Sequence, residues 1–178
     1  MQADDRALPP ALAALHRIEF RDDDDDDGDD RMDFEAYDAF QSADETTSFM
    51  RAWTNNPAVD GAAFRFFGQD GTGGLAGFWL VTPDAPLLDQ PIVFFGSEGE
   101  LVVVAANFSD YLWLLAEGYG PCEASYFERC RRAENPHFLA FAQVYADMPR
   151  RSAWEVLQRA RAAHPDFEAR LQALYMHG

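Results

Sequence analysis

The 178-residue sequence contains no lysine, and all 14 of its basic residues are arginines. It has only two cysteines, Cys122 and Cys130, which are too few for a disulfide scaffold and fit a reducing compartment. Its longest apolar run, 101–106, is far shorter than the roughly 20 residues of a transmembrane helix. Residues 1–19 lack the basic start of a secretory signal peptide. We therefore expect a cytoplasmic protein that does not bind membranes.

Basic residues are absent from a long central segment. The whole chain carries 31 acidic residues and a formal charge of −17, and residues 66–128 contain nine acids and no base. Residues 1–65 have a net charge of −11, whereas residues 129–178 have a net charge of +3. A nucleic-acid binder needs a basic footprint, so we expect no nucleic-acid binding. The charge would instead speed encounter with a cationic partner, although solubility alone explains it equally well.

Eight of the acids form the run Asp22–Asp30. Its spacing matches the start of a calcium-binding loop, but the twelfth position must be a bidentate glutamate and is Phe34. The run therefore indicates a solvated, self-repelling loop.

The order of elements predicts an α+β fold, with an antiparallel β-meander packed by helices and a C-terminal helical extension. A helix at 9–17 precedes the acidic run, and a second helix at about 43–53 follows the capping-box pair Ser42 and Glu45. Aromatic alternation over 34–40 indicates an extended segment. Further strands are predicted at 63–67, 75–81, 92–95 and 101–105. We divide the chain into an N-terminal helix (1–20), an acidic loop (21–31), an α+β core (32–121) and the extension (122–178).

Two segments predict how these elements pack. The strand at 101–105 shows no alternation between apolar and polar residues, which indicates a central strand covered on both faces. The helix after Asn107 is apolar on nearly every side and must therefore be buried. The helices predicted in the last fifty residues are the segments available to cover it.

The usual catalytic patterns are incomplete. The dinucleotide-like motif at 71–76 leads into a strand and not into a helix, and Phe95 replaces the first glycine of a nucleophile elbow. The histidines lie in the terminal helical parts, and Cys122, Cys130 and His137 lack zinc-ligand spacing. We expect no enzyme activity, no cofactor and no metal.

Residues 63–118 resemble the SUKH superfamily. The resemblance rests on an aromatic strand ending in Gly68, an acidic glycine turn at 70–74, a Pro-Ile-Val-Phe-Phe strand at 91–95, the Ser97-Glu98-Gly99 turn, and a helix with Phe108 and Tyr111. That superfamily includes fungal regulators of cell-wall synthesis and bacterial immunity proteins. The resemblance implies an α+β protein without catalytic residues that blocks a protein toxin, often a nuclease or a nucleic-acid deaminase.

An immunity protein of this kind could fill the basic groove of such a toxin with an acidic face. We expect Asp70, Glu98, Glu100 and Asp110 to contact the partner, because they lie at strand ends and at a helix start, where turns expose side chains. Two alternatives stay open. One is an intracellular regulator or scaffold, and the other is a protein with a small-ligand pocket between the sheet and the C-terminal helices. The oligomeric state is also left open.

Overall fold

The computed structural model describes residues 5–20, 32–129 and 131–175. The Asp22–Asp30 run and Cys130 lie outside these ranges. The fold is α+β, as predicted, with a five-stranded antiparallel sheet in the order β1-β2-β3-β4-β5. The strands are β1 (Glu35–Ala36), β2 (Phe64–Gln69), β3 (Leu75–Trp79), β4 (Ile92–Phe95) and β5 (Leu101–Ala105). The helices of the described ranges are α1 (Pro10–Leu15), α2 (Ala43–Thr54), α3 (Phe108–Ala116), α4 (Pro121–Ser125), α5 (Pro136–Tyr145), α6 (Ala153–Ala163) and α7 (Phe167–Gln172).

Local capping residues start the longer helices. The Ser42 hydroxyl accepts from the backbone N–H of Glu45, whose carboxylate accepts in return from the N–H of Ser42, so the predicted capping box of α2 is confirmed. Ser152 and Glu155 form the same arrangement at α6. The side chain of Asn107 caps α3 by accepting from the N–H of Asp110.

The alternating segment 34–40 is shorter as a strand than its pattern suggests. Only Glu35 and Ala36 pair in register with β2. Beyond them the chain still follows β2, because the N–H of Tyr37 donates to the Phe67 carbonyl and that of Gln41 to the Phe66 carbonyl. The N–H of Phe40 turns the other way and donates to the Arg6 carbonyl, which ends regular pairing.

The prediction that β5 is central is wrong, but the prediction that both of its faces are covered is confirmed. β5 pairs with β4 alone and forms an edge of the sheet. Val104 belongs to the apolar cluster on one face, and Val103 belongs to the cluster on the other. The helices α3, α4, α6 and α7 all pack against β5. A continuous apolar run thus arises here because helices cover an edge strand, a usual way to protect an edge.

Helices cover both faces of the sheet. On the first face, α1, α3, α5 and α6 pack against Phe67, Phe78 and Phe94. On the second face, α2 and α7, with Ala160 of α6, pack against Phe66 and Phe95. All nine residues of α3 are buried, and α5 and α6 contact it, so the expected covering by the C-terminal helices is confirmed. No helix within the described ranges has both the length and the apolar character needed to cross a bilayer.

Candidate functional site

The two hairpin turns of the meander lie at the same end of the sheet. Residues 70–74 connect β2 to β3, and residues 96–100 connect β4 to β5. A hydrogen bond joins the turns, because the Ser97 hydroxyl donates to Thr72 Oγ1 over 2.8 Å. β1 begins at this end as well, with Glu35 paired opposite Gln69. Three exposed carboxylates therefore share this end, and we call Glu35, Glu98 and Glu100 the acidic edge.

Glu98 and Glu100 occupy the β4–β5 turn, and their side chains are exposed as expected. One carboxylate oxygen of Glu100 accepts from the backbone N–H of Glu98 over 3.2 Å, which holds the turn in shape. The Glu35 carboxylate accepts from the side-chain amide of Gln69 over 3.0 Å. The carboxylates of Glu35 and Glu100 are thus tethered by local hydrogen bonds while remaining open to solvent.

The expected exposure of Asp70 is wrong, because its side chain is only 3% exposed. Its Oδ1 atom accepts from the N–H and the hydroxyl of Thr72 over 2.9 and 2.8 Å, and from the N–H of Gly74 over 2.8 Å. An aspartate at the first position of a turn commonly folds back onto the backbone in this way. Asp70 therefore shapes the turn that carries Thr72, and it does not present a free charge to a partner.

The expected exposure of Asp110 is wrong as well, because this residue is fully buried. Its two carboxylate oxygens face Arg151 Nη1 at 2.8 Å and Arg159 Nε at 3.1 Å. The cause is long-range packing: α6 and the residues before it lie over the first turn of α3. The negative charge of Asp110 is therefore compensated by two arginines of the same chain and is not available to a partner.

Behind the acidic edge lies a buried polar cluster around Glu123 of α4. One carboxylate oxygen of Glu123 accepts from the N–H of Asp33 over 2.8 Å, and the other accepts from the N–H of Gly120 over 3.1 Å. The Arg132 guanidinium lies 3.4 Å away. Burial raises the pKa of the Glu123 carboxyl above its ordinary range, and this effect exceeds the opposing effects of the hydrogen bonds and Arg132.

This cluster fastens α4 to the β2–β3 turn. The N–H of Gly71 donates to the Asp33 carboxylate over 2.9 Å, so Asp33 connects Glu123 to the turn. Our sequence-based reasoning missed α4 and its role. The signal was present as Gly120-Pro121 followed by Glu123, since proline at the first helical position and glutamate at the third are typical of a helix start. The expected boundary between core and extension after residue 121 falls inside this helix.

Asp33, Asp70 and Cys122 form a group compatible with a metal ion. Their ligand atoms lie within 4.8 Å of one another, and carboxylates and thiolates are both known zinc ligands. Both carboxylates, however, already accept from backbone N–H groups of the β2–β3 turn. Burial, then the charges of Glu123 and Asp70, raise the pKa of the Cys122 thiol to about 12. Without a metal ion the thiol is therefore protonated at neutral pH, and the two aspartates hold the turn through their hydrogen bonds.

We expect Cys122 to react slowly with iodoacetamide, because the thiolate is the reactive form. In a Cys130→Ser variant at pH 8, a pKa of about 12 predicts alkylation at least a hundredfold slower than that of a free thiol of pKa ~8.5. Mass spectrometry of timed samples measures the rate. The same variant unfolded in guanidinium is the control and should react at the ordinary rate. An equal rate in the folded and unfolded protein would contradict the protected environment.

The groove between β5 and the helices α6 and α7 corresponds to the pocket of the small-ligand alternative. It has a volume of about 230 Å³ and is lined mainly by Val103, Arg161, His164 and Phe167. Binding pockets for drug-sized ligands usually enclose ~300–1,000 Å³. This groove is smaller than that range, whereas a second groove of about 450 Å³, between the β4–β5 turn and α6 and lined by Glu100, Tyr126 and Arg161, falls within it.

No protein-family model, curated protein or solved structure matches the chain.

Proposed function

We propose that this chain is a non-enzymatic immunity protein of the cytoplasm, which binds and blocks a basic toxin that acts on nucleic acid. The resemblance to the SUKH superfamily supports this proposal. The residues that carry the resemblance, 63–118, form β2 to β5 and α3, and they include both hairpin turns of the acidic edge. The acidic edge is the contact surface in this proposal.

The acidic edge is the observation that carries the proposal. Its three exposed carboxylates share one end of the sheet, and the Ser97–Thr72 hydrogen bond fixes the two turns relative to each other. Residues 66–128, which include Glu98 and Glu100, contain no basic residue, and the arginines near the acidic edge come from other segments, with Arg129 and Arg161 beside Glu100 and Arg6 beside Glu35. A toxin that acts on nucleic acid needs positive charge where the phosphates bind. Exposed carboxylates at one end of the sheet complement such a groove and would speed the encounter.

With Asp70 and Asp110 buried, the proposed contact residues are Glu98 and Glu100, joined by Glu35. Asp70 acts on the contact indirectly, because it shapes the turn whose Thr72 hydroxyl accepts from Ser97. Asp110 plays no part in the contact in this proposal, because its carboxylate faces two arginines of its own chain.

Affinity capture from a lysate of the source cells tests the proposal. The tagged chain is used as bait at low salt and at ~150 mM salt, where charges beyond ~8 Å are screened, and the captured proteins are identified by mass spectrometry. We expect a stoichiometric basic partner with a nuclease or deaminase activity that the bait inhibits. A captured host protein without toxic activity would favour the regulator or scaffold alternative. Capture of no protein at either salt would contradict both.

Neutralising two carboxylates of the acidic edge is expected to slow association with the captured partner. In the Glu98→Gln, Glu100→Gln double variant we expect an association rate about tenfold lower at low salt, because charges at an interface act mainly on the encounter step. The salt dependence of the rate should also become weaker. Surface plasmon resonance with the purified partner measures both quantities.

The matched control is the Asp60→Asn, Asp89→Asn double variant. It makes the same change in net charge with two exposed aspartates that lie at the opposite end of the sheet, before β2 and before β4. Its association rate should remain close to that of the wild type. Equal slowing by both double variants would mean that net charge alone, and not the acidic edge, drives the encounter.

A further inference from the structure

α5 carries an apolar surface that the described part of the chain leaves largely exposed, although Phe141 within it packs partly against the core. The helix has no charged residue, and it packs on α3 through the buried Phe138 and Ala142. A second stripe runs beside this contact with the spacing i, i+3, i+4, i+7 and i+8, and it faces outward. We call this stripe the α5 face: His137, Ala140, Phe141, Val144 and Tyr145. Val144 is 75% exposed and Tyr145 is 46% exposed.

The spacing of the α5 face is typical of a buried helix surface. Within it, however, Phe141 is only half-buried and Tyr145 is exposed. Their rings stack with centroids 4.2 Å apart and planes 15° apart, which forms one flat aromatic surface. Such surfaces are enriched at protein–protein interfaces.

The α5 face is held in a defined position. The N–H of Met148, just after the helix, donates to the Ser109 hydroxyl over 3.0 Å, and the indole N–H of Trp113 donates to the Met148 carbonyl over 2.9 Å. Both bonds fasten the end of α5 to the buried helix α3. The surface is therefore preorganised, and binding would not require much further ordering.

We propose that the α5 face is a self-association surface, on which α5 of a second copy packs in a twofold-symmetric dimer. A twofold contact places the same patch of both copies face to face, so a charged patch would repel its equivalent on the second copy. α5 carries no charge, and the nearby Arg150 forms ion pairs with Glu117 and Glu134. Residues 129–178 have a net charge of +3, in contrast to the strongly acidic rest of the chain. Contact through α5 thus avoids placing one acidic body directly against another.

A basic partner is the wrong occupant for this surface. It would be attracted to the acidic edge at the turn end of the sheet, and α5 offers no carboxylate to pair with it. Self-association is therefore independent of the proposed toxin-binding function, because the two surfaces share no residue.

The dimer should be weak, and salt should strengthen it. A contact made through one ten-residue helix, about 15 Å long, is smaller than a standard protein–protein interface. We therefore expect a dissociation constant in the range of ~10–100 μM. Two copies of charge −17 repel each other at long range. Added salt screens this repulsion and leaves the apolar contact intact, whereas it weakens binding at the acidic edge.

Sedimentation equilibrium of the full chain tests the proposal over ~5–500 μM protein, at ~20 mM and ~500 mM sodium chloride. We expect the mean mass to rise from 20.0 kDa towards twice that value with concentration, and to rise further at high salt. The Val144→Asp variant should weaken the dimer at least tenfold, because it places a carboxylate from each copy in the apolar contact. Val144→Ser, which removes apolar area without adding charge, should weaken it to a smaller degree.

The matched control is Leu174→Asp, which introduces the same charge at another exposed apolar residue, near the end of the described chain. It should leave the dissociation constant unchanged within about twofold. A monomer at every concentration, or a dimer unaffected by both Val144 variants, would overturn the proposal. A dimer that weakens as salt rises would overturn it too, since that result indicates ion pairing. Loss of toxin binding with an intact dimer would count only against the proposed function.

Discussion

Replacing Arg151 and Arg159 together with alanine should lower the free energy of unfolding by about 3 kcal/mol. The two guanidinium groups face the two carboxylate oxygens of Asp110, which is fully buried. Without them, a carboxylate would remain in the interior with only part of its charge compensated. Removing the partners of a buried charge is among the few point changes that cost this much.

A third substitution separates this effect from lost packing. Adding Asp110→Asn to the double variant removes the uncompensated charge, so it should restore more than half of the lost stability. Asp110→Asn alone should cost less than the arginine pair, because the side chains of Arg151 and Arg159 are 21% and 47% exposed and can reach water. Urea unfolding followed by circular dichroism measures all three variants.

Arg150→Ala is the matched control for the arginine variants. Arg150 also forms ion pairs, with Glu117 and Glu134, but all three side chains are substantially exposed. Exposed pairs contribute ~0–1 kcal/mol, so this substitution should have little effect. If the Arg151 and Arg159 double variant were no less stable than Arg150→Ala, the buried position of Asp110 would be contradicted.

The parts of the fold that local chemistry specifies could be predicted from the sequence. β4 and β5 have the predicted bounds, 92–95 and 101–105, because turn residues flank each of them closely. The start of α2 follows from Ser42 and Glu45, whose side chains act within one turn of helix. The place of Glu98 and Glu100 in an exposed turn follows from the same short-range signals.

Burial that depends on distant residues could not be predicted in this way. Asp110 and Arg159 are 49 positions apart, and nothing near Asp110 in the sequence indicates that α6 covers it. The buried cluster has the same origin, since Glu123 accepts from the N–H of Asp33, 90 positions earlier. Residues at turns and helix starts are usually exposed. Asp110 and Glu123 are buried because distant parts of the chain pack over them.

Helical periodicity likewise does not predict which part of the protein, if any, covers an apolar stripe of a helix. In α5, Phe138 and Ala142 are buried in the core, whereas the apolar residues Val144 and Tyr145 on the neighbouring stripe are exposed. The β5 strand shows the converse case, where an apolar run marks an edge that helices cover. In both cases the pattern correctly indicates that the residues favour burial, but the covering element is set by the tertiary arrangement.

Glu123→Gln should lower the free energy of unfolding by about 2 kcal/mol at pH 7. The carboxylate accepts from two backbone N–H groups, those of Asp33 and Gly120, with one oxygen each. Glutamine keeps one acceptor oxygen and turns an N–H₂ donor towards the other N–H. One buried backbone donor therefore loses its partner, and α4 loses part of its connection to the β2–β3 turn.

The cost of Glu123→Gln should grow as the pH falls. Burial raises the folded-state pKa of Glu123 above its ordinary value of 4.5. The folded protein therefore binds this proton more readily than the unfolded chain does, so protonation stabilises the fold. Between pH 7 and about pH 4.5 the wild type gains stability from this group, and below that range the gain is constant. Glutamine does not titrate, so the stability difference between wild type and variant should widen across this interval.

Urea unfolding of both proteins at intervals from pH 7.5 to about pH 4.5 measures this difference. The other carboxyl groups titrate in wild type and variant alike, so their contribution cancels when the two curves are subtracted. Glu155→Gln is the matched control, because Glu155 is exposed and its hydrogen bonds to Ser152 lower its pKa. Its stability difference should therefore stay nearly constant down to about pH 4.5, because a carboxyl with a lowered folded-state pKa loses its stabilising effect only below its unfolded value. A Glu123→Gln difference that also stays constant over this interval would mean that the hydrogen bonds and Arg132 outweigh burial, and that the cluster behind the acidic edge holds its charge at low cost.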